Sequence, residues 1–288
     1  MRPVQLAADR CELSGLLAMA SGPPRGTIVA LHGGGMNARY FHGEAVPELS
    51  LLTFGADAGW NVLALDRPGY RASAGLPDAD VSLAAQTEIV FSALDGFAAA
   101  HEIGAGLFVL GHSYGFKLGL HLAAHPRGGE LLGVDGSGVG RRYQPGRHHS
   151  TDPDAPQPTR AQSIDLFWGP LELYPQGTFS TLRGVVEPIP AAEQREAPTW
   201  SAVFPGLASQ VRTPVRLTLA EHERWWTHGE EELAEIARAF SSAPVVETVG
   251  LAGAGHNISL GWAARGYHLA ALAFAERCRL RARPPARP

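Results

Sequence analysis

Apolar and polar residues follow two alternating rhythms along this chain. Short, almost wholly apolar runs of strand length occupy residues 13–20, Thr27–Leu31, Asn61–Leu65, 106–110, 131–134, 215–219 and 245–250. Between them, apolar residues recur three and four apart, the period of a helix with one buried face, over 82–100, Tyr114–Ala124, 230–240 and 262–280, with mixed helical spacing over 41–60. Consecutive parallel strands need crossover connections, so this order predicts an α/β fold with a mainly parallel central sheet and helices on both faces.

One stretch breaks the rhythm. From residue 136 to 210 prolines cluster (among them Pro145, Pro153, Pro156, Pro158, Pro170 and Pro175) and large aromatics gather. A segment that long inside a compact domain is rarely a bare loop, which predicts an inserted lid with short helices around 160–173 and 191–204. The expected organisation is a core of residues 1–135 and 211–281, a lid or cap of 136–210, and a Pro/Arg-rich disordered tail of 282–288. At 288 residues the chain fits one large α/β domain.

Charge narrows the partners. With 24 basic against 28 acidic residues, scattered along the chain, the net charge of −4 offers no broad attraction to nucleic acid or an anionic membrane. A small, hydrophobic molecule is the expected partner. The basic side is almost wholly arginine, with Lys117 the only lysine, a compositional habit to which no function attaches. Cys11 and Cys278 lie at opposite ends without CxxC or Cys/His spacing, so neither a disulfide framework nor a zinc site is expected. The adjacent His148 and His149, with Asp152 and Asp154, cannot readily share one tetrahedral ion, and no metal or other cofactor is expected. No apolar run approaches the roughly 20 residues that span a bilayer. Asp9, Arg10 and Glu12 interrupt the N-terminal region where a signal peptide needs an apolar core, and the expected location is the cytoplasm.

Candidate chemistry centres on Gly111-His112-Ser113-Tyr114-Gly115, a G-x-S-x-G match between the apolar run 106–110 and the helical pattern Tyr114–Ala124. A sharp strand–turn–helix is what lifts a serine hydroxyl above a sheet edge, and the flanking glycines are needed where a Cβ would meet neighbouring backbone. A serine hydroxyl is a poor nucleophile at neutral pH, so it requires a base, and His256, in a Gly-rich setting just past a predicted strand, is the candidate. His112, beside the serine, is expected to pack or to hydrogen-bond, and Asp66 to organise its loop.

Four features taken together, His32-Gly33-Gly34, Asp66-Arg67-Pro68-Gly69, the serine pentapeptide and Gly255-His256-Asn257, resemble the α/β-hydrolase superfamily, and the resemblance covers nearly the whole chain. It implies a nucleophile elbow at Ser113, a triad in the chain order serine, acid, histidine, and an oxyanion hole formed by the backbone N–H of Tyr114 and one from the glycine loop, Gly34 with Gly35 as the alternative. For the acid, Ala220-Glu221-His222-Glu223 departs from the family's usual Gly-x-x-Asp. Glu223 falls in register, with Asp135 and Glu221 as alternatives.

The lid's aromatics, Phe167, Trp168, Tyr174 and Trp200 foremost, are candidates to line a pocket for a hydrophobic acyl, aryl or polyketide-like group. Arg141, Arg142 and Arg147 are candidate anion contacts, though solvated lid charges account for them more simply. The activity expected is hydrolysis of an ester, thioester or lactone through an acyl-enzyme. The alternative is a lyase, because the chain also resembles the acetate-eliminating enzymes of spirotetronate assembly, which remove an acyl group without water. Fold does not choose between them.

Overall fold

The computed structural model describes residues 1–147 and 159–282. In chain order the elements are β1 (Arg2–Ala8), β2 (Cys11–Ala18), β3 (Thr27–Leu31), α1 (Leu51–Asp57), β4 (Asn61–Leu65), α2 (Leu83–Ala100), β5 (Leu107–His112), α3 (Tyr114–Ala124), β6 (Leu131–Ser137), α4 (Arg160–Trp168), α5 (Thr178–Thr181), α6 (Ala191–Glu196), α7 (Trp200–Ala208), β7 (Val215–His222), α8 (Glu230–Ala239), β8 (Val246–Gly255) and α9 (Ala264–Ala282). The eight strands form one sheet in the order β1-β2-β4-β3-β5-β6-β7-β8. β1, β2 and β4 pair antiparallel, and every other pair is parallel.

The apolar runs are strands buried on both faces, and the period of two divides them between two cores. Ile28 and Ala30, Val62 and Ala64, Phe108 and Leu110 point into the layer beneath α1 and α9. Val29 and Leu31, Leu63 and Leu65, and Val109 point into the layer beneath α2, α3 and α8. Strand order reverses at β3, which lies between β4 and β5, and a crevice at the carboxyl ends of the strands opens at such a switch point. His32 follows β3 and Ser113 follows β5, so the fold sets the glycine loop and the serine side by side.

β1 is absent from the predicted strands. It is an edge strand, and only Val4 and Leu6 are buried in it, too few apolar positions for the run that marks the inner strands. The predicted helix over 41–60 is broken into short 3-10 turns at Ala38–Phe41 and Pro47–Leu49 before α1. The segment expected as an insertion cannot begin at residue 136, because β6 continues through Ser137, paired with both β5 and β7. Its predicted helices divide as well: α4 stops at Gly169 ahead of Pro170, and a turn at Ala197–Thr199 separates α6 from α7. The tail beyond 282 and His148, His149, Asp152 and Asp154 lie outside the described residues. Among the described residues no helix is long and apolar enough to cross a membrane.

Candidate active site

Ser113 sits at the junction of β5 and α3 with φ 50° and ψ −120°, a conformation that side chains rarely adopt. Such strain costs on the order of 1–3 kcal/mol and persists only where the surroundings over-determine it. Here they do. The Ser113 N–H donates to Ser137 O at 2.7 Å, and the Ser113 carbonyl accepts from the N–H of Phe116 and of Lys117. A Cβ at Gly111 would meet Phe116 Cα at 2.5 Å, and one at Gly115 would collide with the carbonyls of Leu31 and His32. The turn therefore closes only with glycine at both flanks.

His256 follows β8 and Glu223 follows β7, so adjacent parallel strands deliver both to one edge. His256 Nδ1 lies 2.9 and 3.0 Å from the two Glu223 carboxylate oxygens. An ionised carboxylate only accepts, so Nδ1 carries the proton and Nε2 is left to accept from the Ser113 hydroxyl, 3.3 Å away. Glu223 Oε1 also accepts the N–H groups of Arg224 and Trp225, each at 3.0 Å. Burial pushes the Glu223 carboxyl up, but the facing His256 and these two amides outweigh it and hold the group below the usual carboxylate range.

The other two candidate acids lie elsewhere. Asp135 is buried on β6, where its carboxylate accepts from Arg216 at 2.6 Å and from the Tyr267 hydroxyl at 3.0 Å, so its charge is bound against β7 and α9 rather than His256. Glu221, half exposed, accepts the Gly253 N–H at 2.8 Å. Asp66 accepts from Ser14 and from the Ala38 N–H and ties its loop together.

His112 is a second buried histidine, its ring 5.0 Å from that of His256 and stacked on Tyr40. Asn257 donates through Nδ2 to Phe167 O, which leaves its Oδ1 to accept from His112 Nε2–H at 3.2 Å. His112 Nδ1 then accepts from the Ser137 hydroxyl at 3.1 Å. Burial, with His256 alongside, depresses the His112 pKa well below the ordinary histidine value, so the ring stays neutral.

In the glycine loop the Gly35 N–H donates to the Tyr70 hydroxyl at 3.0 Å, which commits the alternative donor. The Gly34 N–H and the Tyr114 N–H enter no backbone hydrogen bond among the described residues. A Cβ on Gly34 would stand 4.0 Å from Tyr114 Cβ, and one on Gly33 would stand 3.2 Å from Ser113 Cβ, so loop and elbow are in contact.

Of the four aromatics expected to line a pocket, Phe167 and Trp168 are half-buried at the end of α4. Phe167 packs edge-on to Trp225, and Trp168 to Tyr174 and Phe179. Tyr174 is buried, donates to Trp168 O and accepts the Asn257 N–H, so it braces the histidine loop. Trp200 is a core residue, 2 % exposed, with its indole N–H on Gly140 O. Arg141 and Arg142 both pair with Glu232, and Arg147 with Asp165, so none of the three is an open anion contact. Two further groups had no local signal in the sequence. Lys117, one turn after the serine, is buried with its Nζ 5.1–5.9 Å from the ring centres of Tyr114, Tyr143, Trp200 and Trp226. Glu193, on the insertion, pairs with Arg67 at 0 % and 1 % exposure.

The strand–serine–helix turn thus meets a carboxylate and a histidine delivered from the ends of β7 and β8, and one family model, described as "Alpha/beta hydrolase family", matches residues 28–267 of the chain. The chain belongs to the alpha/beta hydrolase family. Solved structures superpose along nearly all of the chain. A thermostable carboxyl esterase from Bacillus coagulans is 15 % identical with a TM-score of 0.68, covering 96 % of this chain and 98 % of that one. A proline iminopeptidase from Mycobacterium smegmatis is 15 % identical with a TM-score of 0.61, covering 98 % and 100 %. An epoxide hydrolase from Vigna radiata is 13 % identical with a TM-score of 0.61, covering 96 % and 98 %. No curated protein matches the sequence. At these identities the neighbours share the fold, and their names span three reactions, so the substrate has to be argued from the site. Family membership supports hydrolysis as the general activity.

Proposed function

We propose that this α/β hydrolase cleaves an ester, thioester or lactone bond of a hydrophobic small molecule through an acyl-enzyme on Ser113. The observation that carries this reading is the continuous chain Ser113 Oγ, His256 Nε2, His256 Nδ1, Glu223, at 3.3 and 2.9 Å. Ser113 Oγ attacks the acyl carbon as His256 takes the hydroxyl proton, and the carbonyl π electrons move onto its oxygen, held by the N–H groups of Gly34 and Tyr114. Collapse breaks the bond to the leaving group, which receives the proton from His256. Water, deprotonated by His256, then attacks the acyl-serine, and collapse breaks the acyl–Oγ bond, returns the proton from His256 to Ser113 Oγ and releases the acid. Glu223 keeps the imidazole in the required tautomer and stabilises its cation.

Serine chemistry favours an acyl substrate over an epoxide, the substrate type of one structural neighbour. Opening an epoxide with Ser113 would leave an ether, which has no carbonyl for water to attack. Phe167 and Trp168 on α4 suit a hydrophobic acyl or aryl group, and in this reading the insertion after β6 serves as the lid over the site. Incubation with a fluorophosphonate followed by intact-mass measurement is the test. One adduct per chain, lost in Ser113→Ala, is expected, and an unlabelled wild type or a labelled Ser113→Ala would sink the nucleophile assignment. Labelling without turnover of aryl esters of graded chain length would favour acyl elimination.

A further inference from the structure

Glu193, buried, and Glu196, half-buried, stand one helical turn apart on α6. Each reaches a different half of the anion site proposed above. Glu193 Oε1 accepts from Arg67 Nη1 at 2.5 Å, and Oε2 accepts from Arg67 Nη2 at 3.1 Å and from the Tyr70 hydroxyl at 2.9 Å. Tyr70 in turn accepts the Gly35 N–H, which fixes the Gly34–Gly35 peptide plane. Arg67 Nε donates to His32 O at 2.7 Å and fixes the His32–Gly33 plane. The peptide between them carries the Gly34 N–H. Its carbonyl, Gly33 O, lies 2.8 Å from His32 Nδ1, and because His32 Nε2 accepts the Arg67 N–H, Nδ1 is the donor. On the other half, Glu196 Oε2 accepts the Tyr114 hydroxyl at 2.8 Å and the Leu83 N–H at 3.0 Å.

We infer that Glu193 and Glu196 are positioning residues for the oxyanion amides of Gly34 and Tyr114, so that the inserted helix α6 has to be docked for the anion site to form. This rests on the acyl-enzyme reading above. A buried carboxylate whose Oε2 would stand 3.6 Å from a Cβ on Gly34 could oppose charge developing nearby, but the bidentate Arg67 neutralises it. Buried ion pairs add little net stability relative to apolar packing, so the lasting effect of this one is where it holds Arg67 and Tyr70. The same insertion also ties down the loop from outside. The Glu187 N–H donates to Gly35 O at 2.8 Å, and Asn37 Nδ2 donates to Gly184 O and Glu187 Oε1.

The test uses the full-length protein and the variants Tyr70→Phe, Glu193→Gln and Glu196→Gln. Turnover of 4-nitrophenyl butyrate gives kcat and KM. An alkyl trifluoromethyl ketone, whose serine adduct is an oxyanion, is compared with the matching methyl carbinol, which forms no adduct. Losing one oxyanion donor outright costs about 100-fold or more, so loosening one is expected to lower kcat and weaken the ketone by ~10-fold, with KM and carbinol binding within ~2-fold. Unchanged kcat and ketone affinity in all three variants would overturn the inference. So would equal weakening of ketone and carbinol, because that marks general damage. Tyr70→Phe removes a single hydroxyl and keeps the test open if Glu193→Gln does not fold. Fluorophosphonate labelling of the wild type separates the two levels: no label defeats the acyl-enzyme reading itself, while a labelled wild type with unaffected variants defeats only the role of α6.

Discussion

The two halves of the insertion after β6 differ in how they meet the core. Along α6, α7 and the turn between them, Ala192, Glu193, Ala197, Trp200, Phe204 and Ala208 are buried, and Trp200, Phe204 and Ala208 join the same cluster as α3 and β7. Along α4 no residue is buried. α4 is held by a Thr159–Gln162 capping box, by Asn257 on Phe167 O, and by the half-exposed pairs of Asp165 with Arg147 and Arg224. Few buried apolar contacts mean a low free energy of local opening. The α6–α7 half is thus built as a fixed part of the core, and the α4 half is the part that opens at the lower free energy.

The largest expected effect is on the fixed half. Arg67→Ala would leave Glu193 buried without its guanidinium, and removing one partner of such a pair costs about 3–5 kcal/mol. Asp165→Ala, which removes the exposed pairs on α4, should cost under about 1 kcal/mol. Urea denaturation of both variants checks this contrast, and equal losses would abolish the distinction between the halves.

Lys117 joins the fixed half to the elbow, since Tyr114, Trp200 and Trp226 all cage its ammonium. Burial drives its pKa from the ordinary 10.5 down to about 7, with Glu196 and Glu193 opposing the shift. Between these values the unfolded chain binds the proton and the folded chain does not, so this group's contribution to stability rises with pH through that window and is at its minimum below about pH 7. In Lys117→Met that slope disappears. The stability of the wild type relative to the variant should therefore climb from pH 7 to 9, by at most about 1.4 kcal/mol per pH unit, less whatever the rings recover for the cation. A difference that stays flat across urea titrations at pH 7, 8 and 9 would mean that Lys117 keeps its proton in the cage.

Much of this frame is legible in the sequence, and what is not has a physical reason. Runs such as Asn61–Leu65 announce themselves because both sheet faces are covered, and β1 hides because only alternate residues are buried. Ser113 and His256 stand out in the sequence by Gly-rich settings past apolar runs, and Glu223 only by its register in the family resemblance, and the structure brings the three side chains within hydrogen-bonding distance of one another. The Arg67–Glu193 pair joins residues 126 apart, and no local pattern distinguishes it from two surface charges. Trp200 and Phe167 look alike in the sequence. α4 and α7 are nine residues each, too short for the periodicity to say which face is turned inward. Asp135 directly follows a predicted strand, while Glu223 lies four residues beyond one, yet Arg216 on the next strand and Tyr267 on α9 claim Asp135, and both contacts are tertiary.

A modest change in stability at Phe167 should carry the clearest change in specificity. Phe167 is half-buried and packs edge-on to Trp225, the residue whose N–H helps to hold Glu223. Its carbonyl, not its side chain, receives Asn257, so Phe167→Ala leaves that hydrogen bond available. Truncating a half-exposed ring at a yielding helix should cost less than the roughly 3–5 kcal/mol of a fully buried aromatic. If the α4 half admits the acyl chain, the variant should turn over short aryl esters nearly as the wild type does. It should lose on longer ones, with each methylene that no longer finds apolar cover worth up to about 0.8 kcal/mol in kcat/KM. A kcat/KM series over increasing chain length reads this directly. Coincident series for Phe167→Ala and wild type would place the acyl chain away from α4, and a drop of equal size at every length would point to disturbance of the Glu223 loop through Trp225 instead.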